Sequence, residues 1–312
     1  MENAGYKDSP YSAAEGAASA PLTEAECRAA PQSGVHLYHF PLSLCSQKVR
    51  QALEEKGVNW QSHVKLLQSY EQYEPDYVRI NPRCVVPALV RDGRVTTDSA
   101  NILRYIDRTF GNEGGLVPAD RSERECMESF LDSADVLFVE ALTYGHIDGV
   151  KKPAMMNAIL RGDHDKQVML LTGLVEKHAG DPFLKEAYGR KLAISRSTRE
   201  SFSSPARMAG ILADTVSRIE AVEVQLADGS FSKGGWLCSA AFSLADVEWG
   251  VVLNRLRLIG LRTRLWDDRP NVVAYEARLR ARPSFRKGVA AWENPVTNIL
   301  IPTLLKKAGK IV

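Results

Sequence analysis

The sequence lacks several features that mark whole classes of protein. None of its 312 residues lies in a run approaching the roughly 18 consecutive apolar residues of a membrane-spanning helix. The N-terminus has neither the regions of a secretory signal nor the acid-poor composition of a mitochondrial transit peptide. With 40 basic and 38 acidic side chains, the net charge is only +2. That balance gives no general reason to expect a nucleic-acid partner.

Cysteine and histidine are sparse and poorly spaced for metal binding or disulfides. The five cysteines are odd in number and form no C-x-x-C pair, which fits a reducing compartment such as the cytoplasm better than a secreted framework. His36 and His39 lie three apart in a strand-like segment, so they point to opposite faces and cannot chelate one metal. No other spacing suggests a metal site, and we expect none.

The hydrophobic pattern changes along the chain and predicts two domains. Residues 1–33 are rich in small and polar residues without periodicity, which predicts a disordered leader. Residues 34–112 alternate as strand, helix and strand, followed by a helix, a β-hairpin and a closing helix. Residues 121–292 show only helical spacing, and 293–312 form an amphipathic tail. The predicted fold is an α/β domain followed by an all-α domain.

The second domain contains the clearest helix start in the chain. Ser243 can cap a helix and Asp246 can bond back to it, which predicts a central helix running to about Ile259. Residues 200–205 are interpreted as a loop. Tyr144 and His146 lie in the first long stretch of this domain, where they could orient a phenol or dicarboxylate substrate or form a structural pair. The sequence leaves both interpretations open.

Cys45 lies in the segment Ser43-Leu44-Cys45-Ser46, where a buried strand gives way to a helix. The first backbone N–H groups of a helix have no partner within the helix, and its dipole favours negative charge there. A thiol at this position forms a thiolate more readily than an ordinary cysteine, and nearby Lys48 and Arg50 add positive charge. The alternative is a small cysteine that only fills space.

Two further features suit the binding of a peptide-like ligand. Val86-Pro87 precedes a strand, where the residue before a cis-proline at a sheet edge can pair with an extended ligand. The sequence does not give the isomer, and trans is the more common one. Asp98-Ser99 precedes a helix, so its hydroxyl and N–H groups could hold a ligand carboxylate. An ordinary N-cap is the simpler interpretation of that pair.

Taken together, these motifs resemble the glutathione transferase family. The resemblance rests on the Ser-x-Cys-Ser turn, the Val-Pro strand entry, the acid-Ser helix start and the capping box, and it extends from about Val35 to about Val289. It implies an α/β thioredoxin-like N-terminal domain, an all-α C-terminal domain and a homodimer. Glutathione would serve as co-substrate in a cleft between the domains, bound by Val86, Pro87, Asp98 and Ser99.

Within that family, residues 38–50 and 143–146 look like the tetrachlorohydroquinone reductive dehalogenases and their zeta-class (maleylacetoacetate isomerase) relatives. This resemblance implies that Ser43 hydrogen-bonds the glutathione sulfur and that Cys45 attacks glutathione conjugates. We therefore expect a glutathione-dependent transferase or thiol-transfer enzyme acting on small electrophiles, aromatic or halogenated ones included.

A second resemblance competes with the first. Four segments look like the ganglioside-induced differentiation-associated protein 1 group, namely residues 46–50, 236–238, 254–260 and 298–303. Members of that group act at the mitochondrial outer membrane, and their enzymatic activity is doubtful. Cys45 departs from the serine they usually carry, and the chain ends without their membrane anchor. The tail 296–312 predicts either packing on the helical domain, the preferred interpretation, or weak contact with a membrane surface.

Overall fold

The computed structural model describes residues 25–111, 115–152, 164–202, 204–229 and 234–307. Its strands are β1 Ala25–Glu26, β2 Val35–His39, β3 Gln61–Val64, β4 Ala88–Arg91 and β5 Arg94–Thr97. Its α-helices are α1 Leu44–Glu55, α2 Pro75–Ile80, α3 Ser99–Thr109, α4 Arg121–Asp135, α5 Val139–Tyr144, α6 His164–Lys177, α7 Pro182–Phe202, α8 Pro205–Asp228, α9 Leu244–Leu258, α10 Arg262–Leu265, α11 Pro270–Ala281, α12 Pro283–Gly288 and α13 Ile301–Lys307. Within the described ranges, no helix has the length and apolar character needed to cross a membrane.

The described residues divide into two compact units. The sheet unit contains residues 25–110, 164–197 and 286–307, and the helical unit contains the rest. The domain boundaries expected from the sequence, at 34–112, 121–292 and 293–312, remain predictions. The grouping into units differs from them because two segments from later in the chain pack with the sheet.

The sheet of the first unit has the strand order β1-β5-β4-β2-β3. Strands β2 and β3 pair in parallel, and the other neighbours are antiparallel. The βαβ unit and the hairpin are confirmed, because β2, α1 and β3 follow in order and β4 turns into β5 at Gly93, whose φ is 78°. Strand β4 lies inside the sheet, so the expectation that Val86-Pro87 introduces an edge strand is wrong.

The ordered chain begins before the predicted first strand. Strand β1 pairs with β5, where Ala25 lies opposite Val95. The Cys27 N–H then donates to the Gly93 carbonyl at 2.9 Å, and Ala30 is buried. Residues 25–33 therefore do not belong to a disordered leader, because they complete the edge of the sheet. The rest of that predicted leader, residues 1–24, lies outside the described residues.

A helical hairpin, α6 and α7, packs on the sheet unit. The Tyr188 hydroxyl donates to the Tyr73 carbonyl at 2.8 Å, and Arg79 forms an ion pair with Asp181 at 2.5 Å. Buried apolar residues from both parts form one cluster: Tyr73, Val78, Cys84, Leu171, Leu184, Ala187, Tyr188 and Leu192. The hairpin therefore shares a hydrophobic core with the α2 region.

The C-terminal segment also belongs to the sheet unit. Ile299 is buried, and the Lys306 ammonium lies 3.0 Å from a Glu71 carboxylate oxygen. The preferred sequence interpretation placed this tail on the helical domain, and the Lys306–Glu71 ion pair shows that this expectation is wrong. Spacing alone gave no information about which apolar surface would accept the tail.

The helical unit is organised around α9 and the Asp246 carboxylate. The Asp246 Oδ2 atom accepts from the Ser243 N–H and hydroxyl, both at 2.8 Å, which confirms the predicted capping box. Its Oδ1 accepts from the Leu237 N–H at 2.9 Å and from the Tyr275 hydroxyl at 2.7 Å. Because Asp246 is fully buried, this single side chain joins the start of α9 to α11 and to the preceding segment.

The predicted loop at residues 200–205 is shorter in the structure. Helix α7 continues to Phe202, and α8 already begins at Pro205. Ser204 caps α8 by accepting from the Arg207 N–H at 3.3 Å. A proline is well tolerated in the first turn of a helix, where its missing N–H has no partner to lose. Pro205 therefore marks a helix start and not the end of a loop.

Removal of the Asp246 carboxylate should strongly destabilise the helical unit. Asp246→Ala leaves four donor groups without their buried acceptor, so we expect a loss of about 4 kcal/mol in unfolding free energy by urea denaturation. Tyr275→Phe removes one of the four bonds and should cost about 1 kcal/mol. Equal losses for the two variants would contradict the central role of this carboxylate.

Candidate functional site

Ser43 and Cys45 lie in the first turn of α1. Ser43 is the N-cap, with φ −67° and ψ 124°, and its hydroxyl oxygen accepts from the Ser46 N–H at 3.3 Å. Cys45 is the second residue of the helix. Residues 43–45 are half-buried, whereas Leu42 and Ser46 on either side are buried. The first turn contains no acidic side chain, so the positive end of the helix dipole is not neutralised from within that turn.

Hydrogen bonds to the preceding backbone fix the turn that carries Ser43 and Cys45. The Ser43 N–H donates to the Phe40 carbonyl at 3.2 Å, and the Phe40 N–H donates to the Ser46 hydroxyl oxygen at 3.3 Å. The Arg50 guanidinium donates to the Phe40 carbonyl at 3.2 Å and to the Pro41 carbonyl at 2.8 Å. The backbone that leads into Ser43 is therefore fixed on both sides.

Arg50 also holds the C-terminal segment in place. Its Nε donates to the Gly288 carbonyl at 2.7 Å, and its guanidinium lies 4.9 Å from the ring centre of Trp292. A Cβ atom on Gly288 would lie only 2.7 Å from the Gln51 backbone nitrogen. Glycine is therefore required for this close approach. The sequence predicts Arg50 only as a nearby positive charge, whereas the structure shows a buried side chain with four hydrogen bonds.

His39 completes the surroundings of Arg50 and has a defined tautomer. Its Nδ1 lies 3.0 Å from Arg50 Nη1, which can only donate, and its Nε2 lies 2.7 Å from the Ser62 hydroxyl. The proton therefore resides on Nε2. Burial, the Arg50 charge and His63 together hold the pKa of His39 well below its usual range. The ring remains neutral at physiological pH.

Val86 and Pro87 lie at the entry to β4. The peptide between them is cis, the isomer that the sequence left open. Pairing of β4 with β2 begins at Ala88, so Val86 lies just before the paired region. The preceding carbonyl, of Val85, already accepts from the Tyr77 hydroxyl at 2.6 Å and from the Asn81 amide at 2.8 Å. The loop is thus fixed from inside the sheet unit.

Asp98 is the N-cap of α3, and Ser99 is its first residue. The Asp98 Oδ1 atom accepts from the Ala100 and Asn101 N–H groups at 3.1 and 3.2 Å, and Oδ2 lies 3.3 Å from Arg83. Its φ of 71° is unfavourable for a side chain with a Cβ, and such strain is concentrated at functional sites. The N-cap interpretation is confirmed. The strained backbone of Asp98 is a further feature that an ordinary N-cap does not require.

Tyr144 and His146 lie in the helical unit, at the end of α5. His146 is 86% exposed and pairs with Asp148 at 3.1 Å. The Lys152 ammonium, which sequence reasoning missed, donates to the Thr143 and Gly145 carbonyls at 2.8 and 2.5 Å. Burial lowers the pKa of Lys152 to about 8. This lysine fixes the turn that carries both predicted substrate residues.

The predicted site residues therefore fall into two sets. Ser43, Cys45 and the pairs 86–87 and 98–99 belong to the sheet unit, and Tyr144 and His146 belong to the helical unit. In the part of the chain that the structure describes, no group of three or more His, Cys, Asp or Glu side chains could hold a metal ion.

The neutral state of His39 should make stability depend on pH. Its pKa is lowered in the folded protein, so below pH 6.5 the unfolded chain binds a proton that the folded protein does not. We expect the unfolding free energy to fall by about 1 kcal/mol between pH 7.5 and 5.5 through this residue. In urea titrations His39→Asn should show a flatter pH dependence, and parallel curves for variant and parent would contradict the assignment.

Comparisons with known proteins agree with this arrangement. The family models of the glutathione S-transferase N-terminal and C-terminal domains match residues 42–109 and 205–278. A tetrachloro-p-hydroquinone reductive dehalogenase of Sphingobium chlorophenolicum is 31% identical, over 80% of this chain and 94% of that protein. The human ganglioside-induced differentiation-associated protein 1-like 1 is 29% identical, over 88% and 79%.

A solved structure shows the same fold. The β-etherase LigF from Sphingobium sp. strain SYK-6 superimposes with a TM-score of 0.59 at 23% identity, covering 82% of this chain and 98% of that one. The predicted thioredoxin-like domain with a helical domain is confirmed, as is the expectation of a transferase-type enzyme. The chain belongs to the glutathione S-transferase family.

Proposed function

We propose that this protein is a glutathione-dependent transferase or thiol-transfer enzyme acting on small electrophilic substrates, aromatic or halogenated ones included. The proposal rests on the first turn of α1, where Ser43 and Cys45 are both half-buried and hydrogen bonds fix the backbone that precedes them. A hydroxyl and a thiol at the positive end of a helix suit the handling of thiolates.

In this proposal, the sheet unit binds glutathione. Val86 and Pro87 offer backbone to its cysteinyl residue, and Asp98 and Ser99 hold its γ-glutamyl end. The strained φ of 71° at Asp98 supports a binding role for this helix start. Tyr144 and His146 contact the second substrate, and the exposure of His146 leaves its ring accessible to a ligand.

Ser43 activates the substrate thiol. Its hydroxyl donates a hydrogen bond to the glutathione sulfur, which favours the charged thiolate and lowers its pKa. That thiolate attacks an electrophilic carbon, and the leaving group departs with its electron pair. A fixed donor is effective here because the turn does not have to reorganise when charge develops.

Cys45 acts as the second thiol. Its thiolate attacks the glutathionyl sulfur of the conjugate, and the carbon leaves with the electron pair and takes up a proton. A second glutathione thiolate then attacks the mixed disulfide at Cys45, which releases glutathione disulfide and regenerates the thiolate. In a transfer without net reduction, Cys45 instead carries the mixed disulfide reversibly.

A second candidate is a non-catalytic role at the mitochondrial outer membrane. The similarity to the human ganglioside-induced differentiation-associated protein 1-like 1 favours it. The C-terminal segment adds a specific observation, since Val296, Leu300 and Leu304 are spaced four apart and are 45%, 46% and 65% exposed. Such a stripe suits weak contact with a membrane surface. Failure to bind glutathione would favour this candidate.

Glutathione should stabilise the folded protein. A ligand at a hundred times its Kd adds about 2.7 kcal/mol of stability, which corresponds to a rise of about 5 °C or more in Tm. Thermal melts across millimolar glutathione measure this rise. Asp98→Asn should reduce it, and His146→Ala, outside the glutathione contacts, should leave it unchanged. No rise in the parent protein would refute the enzymatic proposal.

Cys45 should be the more reactive of two comparable thiols. Cys27 is also half-buried but does not lie at the start of an α-helix, so it serves as an internal control. We expect iodoacetamide at pH 7 to label Cys45 about tenfold faster, as measured by peptide mass spectrometry.

With a halogenated phenol and glutathione, Cys45→Ser should accumulate the glutathione conjugate while the parent releases the reduced product. Equal labelling rates at the two cysteines, together with normal turnover by the variant, would rule out Cys45 as the second thiol.

A further inference from the structure

Lys152 is a half-buried cation of the helical unit that has no negatively charged neighbour in contact with it. Its ammonium donates to the carbonyls of Thr143 and Gly145 at 2.8 and 2.5 Å. Among the described residues, no carboxylate forms an ion pair with Lys152. Removing a charge from water is costly unless an opposite charge or enough hydrogen bonds replace the water. Burial is accordingly the cause that lowers the pKa of this lysine.

The two carbonyls leave one N–H group of Lys152 for a ligand. An ammonium has three N–H donors and no acceptor, and Thr143 and Gly145 take two of the three. Both acceptors are neutral backbone groups, so they orient the ammonium without neutralising its charge. A bound anion would supply both the missing acceptor and the missing negative charge.

Residues 145–152 form a turn that is held in place by the surrounding helices. A Cβ atom on Gly145 would lie 2.7 Å from Met208 Cε, so the turn packs directly against α8. The guanidinium of Arg264, on α10, donates to the Asp148 carbonyl at 2.9 Å. The lysine at the end of this turn is therefore already positioned, and a ligand does not have to bear the cost of ordering it.

Positive charges outnumber negative ones at this turn. Lys151 and Arg264 are exposed, and they add to the charge of the half-buried lysine. Asp148 is the only acidic residue between positions 145 and 152. Its carboxylate is 94% exposed and lies 3.1 Å from the His146 ring, so it faces water. Such a charge distribution attracts anions.

We propose that Lys152 forms a binding site for a small organic anion, a carboxylate or a phenolate, whose oxygen accepts the third N–H of the ammonium. The carbonyls that hold Lys152 flank Tyr144, which is 38% exposed, and the second of them directly precedes His146. The role of the anion rests on the proposed function, in which these two residues contact the second substrate. An electrophile with an anionic group then gains a charge-assisted hydrogen bond that a neutral electrophile of the same shape does not make.

Titration of the full chain with benzoate and benzamide tests the site, because the two probes have nearly the same shape and differ in charge. We expect benzoate to bind about tenfold more tightly at neutral pH, as measured by ligand-observed NMR. Saturating glutathione should leave the Kd of benzoate unchanged. Pentafluorophenolate and pentafluoroanisole make the same comparison for a phenolate, and the anion that binds more tightly identifies the preferred oxygen.

Two neighbouring lysines provide matched variants. Lys152→Met removes the half-buried charge, and Lys151→Met removes an exposed charge at the adjacent position. The preference for benzoate over benzamide should disappear in Lys152→Met and should persist in Lys151→Met. It should also persist in Lys152→Arg, which keeps the charge. If Lys152→Met weakens the two probes equally, the residue has only a structural role and the proposal is wrong.

Protection of Lys152 from acetylation is measured on the unaltered protein and so does not depend on the folding of a variant. A bound anion covers the third N–H and keeps the amine protonated, whereas acetic anhydride reacts with a neutral amine. We expect saturating benzoate, but not benzamide, to slow the acetylation of Lys152 about fivefold. Lys151 should react at an unchanged rate, and tandem mass spectrometry distinguishes the two positions.

Equal affinity of the parent protein for benzoate and benzamide would overturn the proposal. Displacement of benzoate by glutathione would overturn it too, because the anion would then occupy the glutathione contacts of the sheet unit. Equal protection of the two lysines would have the same meaning. None of these measurements requires turnover, and thermal melts with glutathione test the transferase proposal separately. The failure of one proposal is therefore distinguishable from the failure of the other.

Discussion

The guanidinium of Arg50 is a positive charge without exposure to water, and its four hydrogen bonds all go to neutral acceptors. Burial lowers the pKa of Arg50. The guanidinium nevertheless stays protonated, because an arginine side chain can only donate and all four acceptors need its N–H groups. Three of these acceptors belong to the segment that leads into the first turn of α1, and the fourth is the carbonyl of Gly288. The geometry of Ser43 and Cys45 therefore depends on a residue that never reaches solvent.

Local signals allowed much of the fold to be predicted from the sequence. The capping box at Ser243 and Asp246, the N-cap at Asp98 and the βαβ order are each specified by residues close together in the chain, and each is confirmed. The predictions that failed depend on contacts between residues far apart in the chain. The edge strand at Ala25–Glu26 is too short to show periodicity, and its partner is about seventy residues away. The same limit applies to α6, α7 and the tail, whose apolar faces do not reveal which surface they cover.

The candidate site shows a similar division. Ser43 and Cys45 could be located because a strand, a turn and a helix follow one another within a few residues. The role of Arg50 could not, since its acceptors at Phe40 and Gly288 are backbone carbonyls, which every residue possesses. Lys152 was missed for the same reason, because it donates to the backbone carbonyls of Thr143 and Gly145. A contact defined by tertiary packing leaves no spacing rule in a single sequence.

The close approach of Gly288 to α1 has a consequence for how the chain is made. Helix α1 is synthesised well before the residue whose carbonyl completes the hydrogen bonds of Arg50, because Gly288 follows Arg50 by 238 positions in the sequence. Until residues 286–307 are released, Arg50 lacks one acceptor and the cation–π contact with Trp292. The surroundings of Arg50 therefore stay incomplete until Gly288 and Trp292 have left the ribosome, and the turn that carries Ser43 and Cys45 reaches its final geometry only after that segment has been made.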